Sequence, residues 1–200
     1  MKVAIRVDSS SQIGSGHLMR CLTLAERYRK DGHEVVFICR DLPGNLTRLV
    51  EEKGFQLKLL SAAKPDDSLT GYGKWLTVTQ QQDAADTISA LKGVGKPDRL
   101  VVDSYALDAV WEKMLRPYEG EIMVIDDLAD RRHDCAILLD QNFYLNCERR
   151  YQGLVPKQCK LLLGPRYALL RDEFLQVKKM MGSRQTRLQH ILVFYGGADA

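Results

Sequence analysis

The chain has 200 residues, 45% of them hydrophobic, with 29 basic and 26 acidic side chains and a net charge of +3. That length suits one sizeable α/β domain with its own core, and no apolar run approaches the roughly 20 residues of a membrane span or forms a signal-peptide core behind Lys2. The two signs of charge are interspersed, which argues against a nucleic-acid surface, and five cysteines without a C-x-x-C pair argue against a disulfide framework or a zinc site. These features point to a cytoplasmic protein with no membrane or nucleic-acid partner, and with Cys21 and Cys39 as small buried apolar residues.

Residues 2–8 read as a first strand. Leu18, Cys21, Leu22, Ala25 and Tyr28 repeat at helical spacing within 16–31, and Gly32 stops that helix. Residues 35–39 form a buried strand, 45–53 a helix ended by Gly54, and 55–60 another strand. The polar stretch 61–75 reads as loop, 79–92 as helix, 99–103 as strand, 107–116 as helix and 122–125 as strand. Short strands come next at 136–139 and 161–163, then a helix over 170–181 and a strand over 189–195. Alternating strands and helices predict right-handed βαβ units, a parallel sheet with helices on both faces, and a Rossmann-like α/β fold. Asp8, Asp103 and Asp126 each close an apolar strand, so the pattern gathers them on one rim, where such sheets bind ligands. The strand at 189–195 has no helix after it to complete a unit. The expected division is therefore a domain over 1–187, with 188–200 as the opening strand and turn of a second, truncated domain.

The most informative stretch is Asp8-Ser9-Ser10-Ser11-Gln12-Ile13-Gly14-Ser15-Gly16-His17, where strand hands over to helix. Small residues there expose backbone N–H groups, and the helix adds its positive end, a cradle suited to a diphosphate. Gly14 and Gly16 permit close backbone approach. A dinucleotide fingerprint would need Gly or Ala where Met19 stands, and no phosphate-loop motif is present. His17 lies in the first helical turn, where the helix end disfavours imidazolium and suits the ring to accept a proton from water; a plainly structural histidine is the alternative. Asp8 either orients His17 or accepts backbone hydrogen bonds in the turn. Ser9, Ser10 and Ser11 are either caps or ligand contacts. Tyr105 either hydrogen-bonds a ligand or packs over its loop. Asp126-Asp127 lacks a third ligand for a metal, so hydrogen bonding or loop closure is preferred. His33 and His190 read as strand-edge residues, and His133 stays open. Gly196-Gly197 is a second glycine turn after a strand.

The segment D-S-S-S-Q-I-G-S-G-H-L-M-R resembles the first motif of the UDP-2,4-diacetamido-2,4,6-trideoxy-β-L-altropyranose hydrolases of pseudaminic acid biosynthesis. Further matches occur in order: Asp103-Ser104-Tyr105, Ile125-Asp126-Asp127, Tyr151 to Pro156, Gly164 to Arg171, and Phe194 to Asp199. The resemblance spans the chain. It implies the N-terminal half of a two-domain glycosyltransferase-B-like fold whose second domain grips uridine. It also implies a UDP-activated amino sugar as substrate, His17 as base with Asp8 and Tyr105 beside it, and no cofactor or metal. Substrate contacts are expected from Ser10, Ser11, Gln12, Gly14, Ser15, Gly16, Asp103 and Asp126, and from Asn142, Arg171, Gly196, Gly197 and Asp199. The implied reaction is inverting attack of water at the anomeric carbon with C–O cleavage. A UDP-sugar glycosyltransferase and a non-catalytic nucleotide-sugar module are the rivals. The expected full-length state is a monomer.

Overall fold

The computed structural model describes residues 1–64 and 68–181, together with 191 and 193. The strands are β1 (Lys2–Val7), β2 (Glu34–Arg40), β3 (Gln56–Leu60), β4 (Arg99–Asp103), β5 (Glu121–Ile125), β6 (Ile137–Asp140) and β7 (Lys160–Leu163). They form one seven-stranded sheet in the order β3-β2-β1-β4-β5-β6-β7, and every neighbouring pair is parallel. The expected Rossmann-like α/β architecture is the one observed. The strand order reverses between β1 and β4, so the crevice beyond their carboxyl ends is the switch point of the sheet.

The helices are α1 (Gly16–Lys30), α2 (Thr47–Glu52), α3 (Gln80–Lys92), α4 (Ala109–Leu115), α5 (Cys147–Arg150) and α6 (Asp172–Met180). Successive strand residues point to opposite faces, and two cores result. Val3, Ile5, Val7, Val101, Met123 and Ile125 pack with Leu18, Cys21, Leu22 and Ala25 of α1. Ala4, Leu100, Val102, Ile122 and Val124 pack with Ala84 and Leu91 of α3 and Trp111 and Leu115 of α4. Both faces are buried, which is why the strands read as nearly continuous apolar runs.

Arg6 falls on the α3–α4 face and is wholly buried, as is Arg40 at the end of β2. Asp83 of α3 receives hydrogen bonds from both guanidinium groups and from Trp111 Nε1 at 3.0 Å. Burial works to raise the Asp83 pKa, but Arg6 and Arg40 together hold it below the usual carboxylate range. The cluster ties α3 and α4 to β1 and β2 through charges that cannot be broken singly at low cost.

Two elements depart from the sequence expectation. The stretch 61–75, expected as loop, includes a 3₁₀ helix, Gly71–Leu76, whose Leu76 is anchored in the core. The short α5 has no apolar periodicity to announce it and buries no side chain. Of the strand expected over 189–195, only Ile191 and Val193 are described, both exposed and outside any strand. His190, Gly196, Gly197 and Asp199 lie outside the described residues.

Candidate active site at the β1–β4 switch point

The turn after β1 is closed by its own side chains. Ser10 Oγ accepts hydrogen bonds from the N–H groups of Gln12 and Ile13 at 3.2 and 2.9 Å, and Gly14 N–H donates to Ser10 O at 2.8 Å. Gly14 takes φ +79°, a left-handed conformation that glycine adopts without strain. Ser9 Oγ accepts from Leu46 N–H at 2.9 Å. Ser9 and Ser10 thus serve the turn, whereas Ser11 and Gln12 are exposed and Ser15 is partly so. Ser11 sits on a neighbouring turn, its N–H donating to Pro43 O at 3.0 Å. No side chain caps α1 at Ser15, which leaves the first-turn N–H groups of that helix, beginning at Gly16, without a side-chain acceptor.

His17 leaves this helix start and turns its Nδ1 to Asp103 Oδ1 at 2.6 Å. Arg20, one turn on and on the same face of α1, grips Asp103 with Nε and Nη2, both at 2.6 Å, and passes Nη2 within 3.2 Å of His17 Nδ1. Cys21 Sγ donates to Asp103 Oδ2 at 3.4 Å. Burial works to raise the Asp103 pKa, but the hydrogen bonds and charge of Arg20, with His17 beside it, hold the carboxyl below its usual range. Asp103 therefore acts as a charged acceptor that fixes a proton on Nδ1, leaving Nε2 as the acceptor nitrogen. No hydrogen-bond partner of Nε2 is found among the described residues. The His17–Asp103 contact ties the start of α1 to the carboxyl end of β4, across the switch point.

A second group leans on this one. Tyr105 sets its ring edge-on to His17, with centroids 4.6 Å apart, and donates its hydroxyl to Asp127 Oδ1 at 2.5 Å. Burial, with the Asp127 carboxylate next, pushes the phenol pKa up and keeps it protonated. Asp127 also receives Arg20 Nη1 and Asn142 Nδ2, both at 3.3 Å, so a chain of contacts links His17, Asp103, Arg20, Asp127, Tyr105 and Asn142. Trp75 of the 3₁₀ helix stands 6.4 Å from the His17 ring.

Several expected roles are redistributed, and strand parity explains those of Asp103, Asp8 and Asp126. Asp103 shares its strand face with Val101 on the α1 side, where His17 comes down. Asp8 follows Ala4 and Arg6 on the opposite face. Its Oδ1 accepts from Arg6 Nη1 at 2.6 Å and Arg40 N–H at 2.7 Å, and among the described contacts Asp103, not Asp8, orients the ring. Asp126 likewise follows Ile122 and Val124 away from α1. It is fully buried, and pairs with Ala129 N–H, Arg131 and Tyr151 to close its loop. Asp127, its neighbour, faces the site instead. Arg171 is exposed beside Phe174 at the start of α6 and shares a groove with Thr23, Leu24 and Arg27 of α1; it joins none of the contacts around His17. His133 is buried on Glu112 Oε1 at 2.7 Å, a packing role. Sequence reasoning misses Arg20 and Trp75. The spacing His17 to Arg20 is the available signal for the first; nothing in the sequence ties Trp75 to this site.

Among the described residues no group of three or more His, Cys, Asp and Glu side chains is placed to hold a metal ion, and no helix is long and apolar enough to cross a membrane.

Comparison with known proteins agrees with the motif reading. A Campylobacter jejuni (subsp. jejuni serotype O:2) protein named UDP-2,4-diacetamido-2,4,6-trideoxy-beta-L-altropyranose hydrolase is 31% identical over 199 residues, covering all of this chain and 61% of its own length. An uncharacterized protein of Methanocaldococcus jannaschii is 27% identical over 204 residues, covering all of this chain and 37% of that protein. The chain thus spans about three fifths and two fifths of these relatives. Among solved structures, MurG of Acinetobacter baumannii aligns with a TM-score of 0.45 at 12% identity, over 64% of this chain and 35% of that one. No family model matches.

Proposed function

We propose that the protein hydrolyses a UDP-linked 2,4-diacetamido-2,4,6-trideoxy sugar, releasing UDP and the free sugar. The observation that carries this reading is the His17–Asp103–Arg20 group at the start of α1. It is an imidazole whose Nδ1 is fixed by a buried carboxylate and whose Nε2 has no partner among the described residues, beside a helix start without a side-chain cap. The relative's name supplies the substrate class. In this reading Nε2 takes a proton from water, which attacks the anomeric carbon from the face opposite the nucleotide. The C–O bond to the diphosphate breaks with inversion, and the departing diphosphate is met by the N–H groups of the helix start. Tyr105, Asn142, Ser11 and Gln12 are proposed to contact the sugar. Gly196, Gly197 and Asp199 are proposed to approach the phosphates, and uridine recognition is assigned to a second domain beginning near residue 188. The 200-residue chain by itself is then expected to fold and turn over poorly.

The test is incubation of the full-length protein with UDP-amino sugars in ¹⁸O-water without any sugar acceptor. Label on the sugar carbon and inverted configuration support the reading. Label on the phosphate refutes C–O cleavage, and release of UDP only when an acceptor is added establishes a glycosyltransferase instead. Binding that survives His17→Ala with no turnover in either protein favours the non-catalytic module.

A further inference from the structure

The 3₁₀ helix Gly71–Leu76 places two aromatic rings where the sequence promised only loop. Tyr72 and Trp75 stand edge-on with centroids 4.7 Å apart. Tyr72 lies 5.2 Å and Trp75 5.8 Å from the Tyr105 ring, and Tyr105 in turn meets His17. The turn is held from below by Leu76, which is 1% exposed. It ends in Thr77 at φ +61°, a left-handed position that a β-branched residue adopts only under outside constraint. Ring packing alone does not account for the arrangement. Tyr72 remains 40% exposed, and the Trp75 indole N–H has no hydrogen-bond partner among the described residues. An aromatic wall one ring away from an imidazole, with an N–H donor that has no acceptor among the described residues, has the chemistry to hold an N-acetyl group: the methyl lies on the ring face and the carbonyl accepts from the indole.

We propose that Trp75 and Tyr72 are substrate-binding residues that receive the methyl-bearing edge of the sugar that hydroxylated donors lack, the 4-acetamido group or the deoxy C6. They thereby select diacetamido-trideoxy sugars over hydroxylated ones. The inference rests on the hydrolase reading. A hydroxyl pressed against this wall gives up its water and gains at most one partner, so discrimination of about 10- to 100-fold is the range an apolar surface supplies.

The experiment compares the full-length protein with its Trp75→Ala, Trp75→Phe and Tyr72→Ala variants on two donors. These are a UDP-2,4-diacetamido-2,4,6-trideoxyhexose and UDP-N-acetylglucosamine, with free UDP as a binding control. Trp75→Ala is expected to lower kcat/KM for the first donor by about 10- to 100-fold and for the second by less than about threefold, with UDP affinity unchanged. Trp75→Phe, which keeps the wall but loses the donor, should fall between. The tryptophan fluorescence change present in the unsubstituted protein and absent from Trp75→Phe isolates the Trp75 signal, and the diacetamido donor should produce it where UDP does not. Should Trp75→Ala prove unstable, the exposed Tyr72 carries the same test. Equal losses on both donors, or an unchanged ratio in Tyr72→Ala and Trp75→Phe, overturn the inference while leaving the hydrolase reading intact. A wild-type protein that hydrolyses neither donor overturns that reading, and this inference with it.

Discussion

Replacing Asp103 by Asn keeps the shape of the side chain and removes its charge. The carboxylate accepts from His17 on one oxygen and Cys21 on the other, while Arg20 engages both oxygens. An amide offers one acceptor and one donor group. If its oxygen faces Arg20 Nε, its NH₂ confronts His17 Nδ1, and the ring must move its proton to Nε2, the nitrogen proposed to accept one from water. If it is turned the other way, donor meets donor at Arg20. In either orientation Arg20 keeps one N–H on the amide oxygen and the contact with Asp127 at 3.3 Å, and loses the other hydrogen bond together with its buried counter-charge. Breaking a buried pair in this way costs about 3–5 kcal/mol. The Arg20 side chain is 13% exposed, so water recovers part of that loss, and about 3 kcal/mol is expected from urea unfolding. Turnover should fall by about 10²- to 10⁴-fold, the range for losing a general base, with a small change in KM. The assay pairs UDP release with unfolding and with ¹⁵N shifts of the His17 ring. A variant destabilised by that amount whose ring tautomer and turnover stay within about threefold of wild type would refute the orienting role of Asp103.

Three further outcomes rest on neighbouring contacts. Asp83 and Asp103 both have lowered pKa values in the folded state, so their stabilising contribution is complete above the unfolded value of about 3.9 and disappears as pH falls through the lower folded values; urea midpoints at about pH 7 and pH 3 measure the difference. Gly44→Ala should cost about 1–3 kcal/mol and disturb Ser11, since Gly44 has φ +73° and an added Cβ would lie 2.1 Å from Ser11 Oγ; a thermal melt reads it. Native alkylation should label Cys147 and Cys159 before Cys21 and Cys39, whose thiols are buried and whose pKa values burial pushes up; peptide mass spectrometry gives the order.

Much of the fold is legible because its signals are local and redundant. Apolar runs closed by Asp8, Asp103 and Asp126 place three carboxylates at carboxyl ends of neighbouring strands, and β1, β4 and β5 do lie side by side. The Gly-rich turn and the helix behind it arise from local chemistry at Gly14, Ser15 and Gly16. What sequence reading misses depends on long-range placement. The 3₁₀ helix bearing Trp75 has no periodicity of its own and is set by Leu76 finding the core. The choice of Asp127 over Asp126 turns on which way the chain bends after β5. The site partners are 86 residues apart for His17 and Asp103 and 107 for Arg20 and Asp127, and no local signal reports on pairs so distant.

The division of labour among the carboxylates is nevertheless open to derivation, because side-chain direction in a strand has period two. The register Val7↔Asp103 sets Asp103 beside Val7, on the face that α1 covers, and leaves Asp8 on the other. A slip of one residue would exchange the two faces. This yields a paired expectation that separates site from scaffold. In Asp8→Asn, the buried Arg6 and Arg40 retain Asp83 and Asp86, and only contacts on the α3–α4 side are weakened. Stability should fall by about 1–3 kcal/mol, as for a buried hydrogen-bonded charge. Turnover of the folded variant should stay within a few fold of wild type, in contrast to Asp103→Asn. Urea unfolding and UDP release measured on both variants give the comparison. Equal collapse of turnover in the two would mean that strand parity does not isolate His17 from Asp8, and that the charge cluster around Asp83 belongs to the chemistry as much as to the fold.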